Sequence, residues 1–169
     1  MSQTNISYKQ PLLETPFHEK TREKCYAHDW HRWAGYKAVN QYTAAELEYT
    51  AIRNTAGVID ISPMHKYSVQ GKDAKKFINK LITRNIDNIH PNQVVYGLWC
   101  NEDGFLVDDG TIFCFDENNF RICSGERNLN WFEDTAIGFD VTIEDISHSI
   151  AALAFQGPLS CKILKLFSS

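Results

Sequence analysis

Between Asn101 and Asp109 the chain reads N-E-D-G-F-L-V-D-D, a turn signal, three apolar residues and two adjacent carboxylates at the mouth of another apolar run, Gly110 to Phe115. On an extended segment, neighbouring side chains point to opposite sides. One of Asp108 and Asp109 can therefore face a cavity while the other faces solvent or a partner strand. A carboxylate so placed is a candidate acid–base group. The same two residues also read as the start of a hairpin strand, because Asp beside a turn satisfies backbone amides locally.

Other reactive side chains form weaker patterns. His28 and His31 in H-D-W-H are the nearest approach to a metal pair, and Cys25 and Asp29 crowd into the same few residues without completing a tetrahedral ligand set, so no metal site is expected. The five cysteines (Cys25, Cys100, Cys114, Cys123 and Cys161) are odd in number, widely spaced and form no C-x-x-C. That usage suits buried free thiols in a reducing compartment. Neither a G-x-G-x-x-G nor a Walker-type phosphate loop is present. The net charge is −4, and Lys72, Lys75, Lys76 and Lys80 follow one helical pattern, which reads as a solvated helix face and argues against a nucleic-acid partner. No window approaches the roughly 18 consecutive apolar residues of a membrane span, and M-S-Q-T-N-I-S-Y-K-Q lacks the apolar core of a signal peptide. The expected location is the cytoplasm, with no membrane partner.

The elements that must position these residues follow from periodicity. With 169 residues, 43% of them hydrophobic, the chain can bury about two-thirds of its unfolded surface, enough for one domain or two small interleaved ones. Residues 1–16 read as an irregular arm, and 17–42 as an aromatic-rich lead-in segment with no clean period. Thr43 and Glu46 have the spacing of a capping box, and the helix they open should stop at Gly57. A short apolar strand at 58–61, broken by Pro63, precedes an alternating strand at 65–69. Ala74, Phe77, Ile78, Leu81 and Ile82 share one helix face that must pack on a sheet. Strands at 94–100, 105–115 and 119–124 are joined by N-E-D-G and D-E-N-N turns. A helix near 126–136, strands at 139–146 and 149–155, and a helix after Gly157-Pro158 complete the order. The expected class is α+β, with mostly antiparallel sheets flanked by helices.

Four segments, taken in order and at their separations, resemble a known family: R-N-T-A-G-V-I-D-I-S-P-M (Arg53 to Met64), V-Q-G-K-D-A-K-K-F (Val69 to Phe77), N-E-D-G-F-L-V-D-D, and A-F-Q-G-P (Ala154 to Pro158). Together they look like the N-terminal half of the glycine cleavage T-protein superfamily. That superfamily includes aminomethyltransferase, folate-dependent demethylases and the folate domains of sarcosine and dimethylglycine dehydrogenases. The resemblance implies a tetrahydrofolate-dependent one-carbon transferase, with the folate in a central funnel among three domains. It implies a small-molecule methyl or aminomethyl donor and, for the aminomethyl branch, a lipoyl carrier protein as partner.

Carried over residue by residue, the resemblance assigns Asp109, the second carboxylate of the family's G-G-x-x-D-D, to the folate nitrogens and makes it the expected catalytic residue, with Asp108 structural. Met64 falls where D-V-S-H-M places a methionine against the folate, and it reads equally as a core methionine. Tyr96 falls where family members contact the pterin, and it reads equally as a half-buried strand tyrosine. Ser62-Pro63 replaces Ser-His, so His65 inherits no role. The segment 121–131 is shorter than in aminomethyltransferases, with Ser124, Gly125 and Glu126 in the loop, which resembles the demethylase and dehydrogenase branches. The paired Asp108-Asp109 instead follows the aminomethyltransferase pattern.

Members of the superfamily run to more than twice this length, so the resemblance implies a truncated chain or one part of a split protein. On that basis residues 1–42 belong to the first family domain as arm and lead-in, 43–138 form a sub-domain carrying the two carboxylates, and 139–169 return to the first domain. The apolar residues Ile163, Leu164, Leu166 and Phe167 then call for cover by a second copy or a second polypeptide over residues 150–169. Two alternatives stay open beside the transferase: a non-catalytic folate-binding or interaction module of this fold, and a folate-dependent demethylase.

Overall fold

The computed structural model describes residues 11–167. Two compact units are present, one made of the residues up to Pro63 together with those from Ala151 onward, the other of Met64–Ile150.

In the first unit, β1 (Leu13–Glu14) leads into α1 (His18–Lys24), then β2 (Asp29–Trp33), β3 (Tyr36–Gln41), α2 (Ala45–Asn54) and β4 (Gly57–Asp60). The segment that showed no clean period in sequence is thus largely regular. β2 and β3 form an antiparallel hairpin, and β1 joins the free edge of β3 in parallel. The hairpin turn is Ala34-Gly35, both at positive φ (47° and 87°), as a two-residue turn requires. Alanine gives no sequence warning of that conformation, which is why the hairpin was not expected.

The capping box at Thr43 and Glu46 is corrected by the structure. The helix starts at Ala45, and the residue before it, Ala44, has no capping side chain. The carboxylate that reaches back belongs to Glu48, whose Oε1 accepts from the amides of Tyr42 (2.8 Å) and Thr43 (2.7 Å). With Ala44 before the helix the third helical position is Leu47, and the carboxylate that serves the amides just ahead of the helix is Glu48, one residue further on.

In the second unit come β5 (His65–Gln70), α3 (Ala74–Leu81), β6 (Val94–Cys100), β7 (Leu106–Asp116), β8 (Asn119–Ser124), α4 (Leu129–Thr135) and β9 (Thr142–Asp145). The five strands make one antiparallel sheet in the order β6-β7-β8-β5-β9. The expected helix face of α3 is fully buried. It packs with α4 on one side of the sheet over Tyr67, Val69, Trp99, Ile112, Phe120 and Ile122. Phe132 of α4 meets Tyr67 edge-on at 5.0 Å and Trp99 at 5.3 Å. Each such fully buried side chain contributes about 1.5–3 kcal/mol, so this layer is the main source of stability in the unit.

After a 3-10 turn at Ser147–Ser149 the chain returns to the first unit, where β10 (Leu153–Gln156) pairs antiparallel with β4 and α5 (Ser160–Leu164) follows. Gly157, at φ 129°, closes this return. A Cβ there would lie 2.5 Å from the Thr55 carbonyl oxygen and 2.7 Å from Ala56 Cα, which explains the glycine of A-F-Q-G-P. The fold is α+β with mostly antiparallel sheets, as the sequence indicates, the β1–β3 pair being parallel. The contact units change over at 63/64 and 150/151, whereas the division at 42/43 and 138/139 refers to the domains of a longer fold and stays a proposal.

Gly110 lies in β7 where a Cβ would meet the backbone oxygen of Cys123 at 2.3 Å and the Trp99 ring at 3.0 Å. Neither the β8 backbone nor a fully buried indole can yield. Gly110→Ala should therefore destabilise the unit by about 2–3 kcal/mol, seen as a lower denaturant midpoint with unchanged slope.

Candidate functional site

The site is organised by β7. In register with β6, Asp108 stands opposite Trp99 and Asp109 opposite Leu98. Trp99 is buried under the helices, so Asp108 points to the helix-covered side and Asp109 to the other. The two carboxylates occupy opposite faces, as their adjacency on a strand requires.

On the helix-free face, the Tyr96 hydroxyl donates to Asp109 Oδ2 at 2.7 Å. Tyr96 is 55% exposed and Asp109 half-buried, so this is an accessible pair on an open sheet. The bond to Asp109, with some desolvation, holds the Tyr96 hydroxyl above the ordinary tyrosine pKa.

On the helix side, Asp108 Oδ2 accepts from Asn128 Nδ2 at 2.6 Å and from the Glu126 amide at 3.3 Å. Asn128 also donates through its own amide to the Tyr67 hydroxyl (3.0 Å), and its side chain reaches the Glu126 carbonyl (3.1 Å). Asp108 thus braces the loop after β8 to the core. Asn128 and this brace were not read from the sequence. The available signal was an Asn directly before a helix, but its side chain serves Asp108 rather than the helix amides, and α4 starts at Leu129 instead of 126.

Met64 precedes β5. Gly110, Ser124 and His65 are aligned across β7, β8 and β5, and Asp109, Gly125 and Met64 each lie one residue beyond that row, Gly125 and Met64 just outside their strands. Two strand spacings put Asp109 and Met64 roughly 10 Å apart at the backbone. Between them, a Cβ on Gly125 would meet nothing within 4 Å. Met64 is half-buried, and its carbonyl accepts from the Nζ of buried Lys66 at 2.8 Å. The three sequence-derived residues therefore lie toward one end of the sheet, with an unfilled gap at Gly125.

His65 alternates to the helix side, stacked 6.4 Å from Tyr67, and burial lowers its pKa. His28 sits in a turn at φ 52°, and His31 is exposed on β2. Among the described residues no group of three or more His, Cys, Asp and Glu could hold a metal ion. All five cysteines are free thiols, and Cys161 is exposed. Among the described residues no helix is long and apolar enough to cross a membrane.

Comparison with known proteins shows the family of the chain. Residues 20–169 match the family described as GCVT N-terminal domain. An aminomethyltransferase of Clostridium botulinum (strain 657 / Type Ba4) is 39% identical over 137 residues, covering 79% of this chain and 37% of the relative. One from Thermoanaerobacter sp. (strain X514) is 34% identical with the same coverage. The crystal structure of glycine cleavage system aminomethyltransferase T from Bartonella henselae superposes with a TM-score of 0.79 at 23% identity, over 91% of this chain and 43% of that one. The chain thus spans well under half the length of the relatives it matches.

The Tyr96–Asp109 bond has a spectroscopic consequence. Asp109→Asn removes the charge that opposes tyrosinate formation, so Tyr96 should ionise at lower pH in that variant than in the native protein. Alkaline titration of tyrosinate absorbance, with Tyr96→Phe identifying the transition, checks this. An unchanged Tyr96 transition would show that the bond is not formed in solution.

Proposed function

Because this chain belongs to the GCVT N-terminal domain family, we propose that it is part of a tetrahydrofolate-dependent one-carbon transferase of the aminomethyl type. In this reading Asp109 is the catalytic carboxylate, and Met64, Tyr96 and Asp109 face the folate. The observation that carries it is the hydrogen-bonded Asp109–Tyr96 pair on the helix-free face, beside the open gap at Gly125. A flat heterocycle with N–H donors suits that set. A carboxylate accepts its donors, a phenol ring and a thioether give it apolar contact, and the missing side chain at Gly125 gives it room.

When bound, tetrahydrofolate supplies the nitrogen that accepts the one-carbon unit. The chain's own part is positional and electrostatic. Tyr96 fixes one carboxylate oxygen of Asp109, which leaves the other to accept an N–H or hold a proton. Asp108, tied to Asn128, keeps β7 and the loop at 125–128 in register so that Asp109 presents from a rigid strand. The donor is a methyl or aminomethyl compound, and a lipoyl carrier protein is the partner of the aminomethyl case. The short loop at Ser124 to Glu126 favours folate-dependent demethylation as the second reading. A non-catalytic folate-binding module would keep the same residues without turnover. The five free thiols fit a cytoplasmic location.

Calorimetric titration with tetrahydrofolate tests the site. The isolated chain should bind weakly, at about micromolar strength or worse, because affinity rests on a few enclosed anchors, and Asp109→Asn should weaken it about tenfold or more. With a polypeptide carrying the C-terminal part of a relative added, Asp109→Asn should lower turnover about a hundredfold while Asp108→Asn spares it and costs stability. Equal turnover losses from the two variants would remove Asp109 from the chemistry.

The same reading gives residues 150–169 a covering partner, a second copy in the simplest case. Leu164, Leu166 and Phe167 are 52%, 79% and 82% exposed, an apolar cluster that single-chain proteins rarely leave bare. Light scattering should find a dimer or larger species, dissociated by Leu166→Lys with Phe167→Lys. A monomer at every concentration sinks it.

A further inference from the structure

Away from the Asp109 end, the helix-free face of the sheet carries a second arrangement that the folate reading does not use. Ser68 on β5 is flanked on one side by Arg121 of β8 and on the other by Glu144 of β9, all three in register. Paired residues share a face, so the guanidinium and the carboxylate stand on either side of one serine, roughly 10 Å apart at the backbone. They lie in a pocket of about 380 Å³ whose lining includes Ser68, Gln70, Phe115, Asn119, Arg121 and Glu144.

Three observations distinguish this pocket from an ordinary solvated patch. The Arg121 guanidinium lies over Phe115, 4.9 Å from the ring centroid, a cation–π contact that restrains it. Its Nε is buried and has no hydrogen-bond partner among the protein atoms, so the guanidinium is not tied to a neighbouring acceptor through that atom. Among the described residues, neither Arg121 nor Glu144 is in an ion pair, although they face the same pocket.

We propose that this pocket binds a compact zwitterion of the α-amino-acid class, its carboxylate on Arg121 and its ammonium on Glu144. A planar guanidinium matches a carboxylate through two parallel bonds from its terminal nitrogens. Ser68 and the Asn119 and Gln70 amides supply further polar partners. Glu144 on the far wall disfavours phosphates and dicarboxylates, and it gives an ammonium group an acceptor. A spacing of two strands accommodates ligand carboxylate and ammonium in line between the two side chains. The pocket is about four residues, or roughly 13 Å, along the strands from the Asp109 end, so it is a separate site.

The test is NMR titration of the full chain with L-alanine, with acetate and methylammonium as single-charge controls, following the Arg121 Nε–H signal and the backbone amides of residues 68, 119–121 and 144. L-Alanine should give a saturable shift at about millimolar strength, and both controls should bind at least about fivefold more weakly. Arg121→Lys, which keeps the charge but loses the fork, should weaken L-alanine about tenfold. Glu144→Gln should bring L-alanine to the level of acetate. Both changes lie on the helix-free face, so the native amide spectrum elsewhere shows that the fold is kept. No saturable shift, equal binding of L-alanine and acetate, or indifference to Arg121→Lys overturns the proposal. None of these outcomes bears on folate binding at Asp109.

Discussion

The two-residue alternation of β7 is the constraint on which the rest of the site depends. Two adjacent carboxylates must leave a strand on opposite faces, and here one face is covered by α3 and α4 while the other carries no helix and leaves Tyr96 exposed. The helix-side carboxylate, half-buried, takes donors from the loop on its own side of the sheet. Asn128 and the Glu126 amide supply them. The open-side carboxylate needs no such satisfaction and is held by one exposed tyrosine. The same local rule thus separates a bracing group from a chemically available one within two residues of sequence.

That separation is only as firm as the layer beneath it. Trp99, Tyr67 and Phe132 interlock under the strand, and Gly97 and Gly110, paired across β6 and β7, leave room for the ridge made by Ile82, Ile112 and the Trp99 ring. The Tyr67 hydroxyl accepts from Asn128, which in turn holds Asp108, so a path of direct contacts runs from the aromatic core to the loop at 125–128. A site on a central strand with such backing is stiffer than one on a loop.

What the sequence disclosed follows from which signals are local. The α3 face and the β6-β7-β8 meander are legible because apolar periods and turn residues report on the chain's immediate neighbours. The opposite orientation of Asp108 and Asp109 is legible for the same reason. The β2-β3 hairpin is not, since Ala34 takes a positive φ that its side chain does not advertise. Nor is the partner of Asp108, which lies 20 residues away and is recruited by the fold. The cap at α2 differs for a subtler reason, since the helix starts later than the Thr43 and Glu46 spacing indicates and Glu48 takes the amides of Tyr42 and Thr43. Strand boundaries near 139–155 shrink where the chain turns back on itself, with Asp140 and Val141 pressed against Gly71. The alignment of Met64 with Asp109 through Gly125 needs the strand order, and strand order is not a property of any one segment.

Gly125 is unlike the other glycines near the site. Gly97 and Gly110 are confined by packed neighbours, whereas the space above Gly125 is empty of protein, and its backbone does not require a left-handed conformation. A mutation there is therefore nearly invisible to folding while altering the volume next to Asp109 directly. A side chain added at Gly125 would project into open space at the Asp109 end of the sheet, so this one position sets how much of that end the protein leaves unfilled while the sheet and the brace stay as they are.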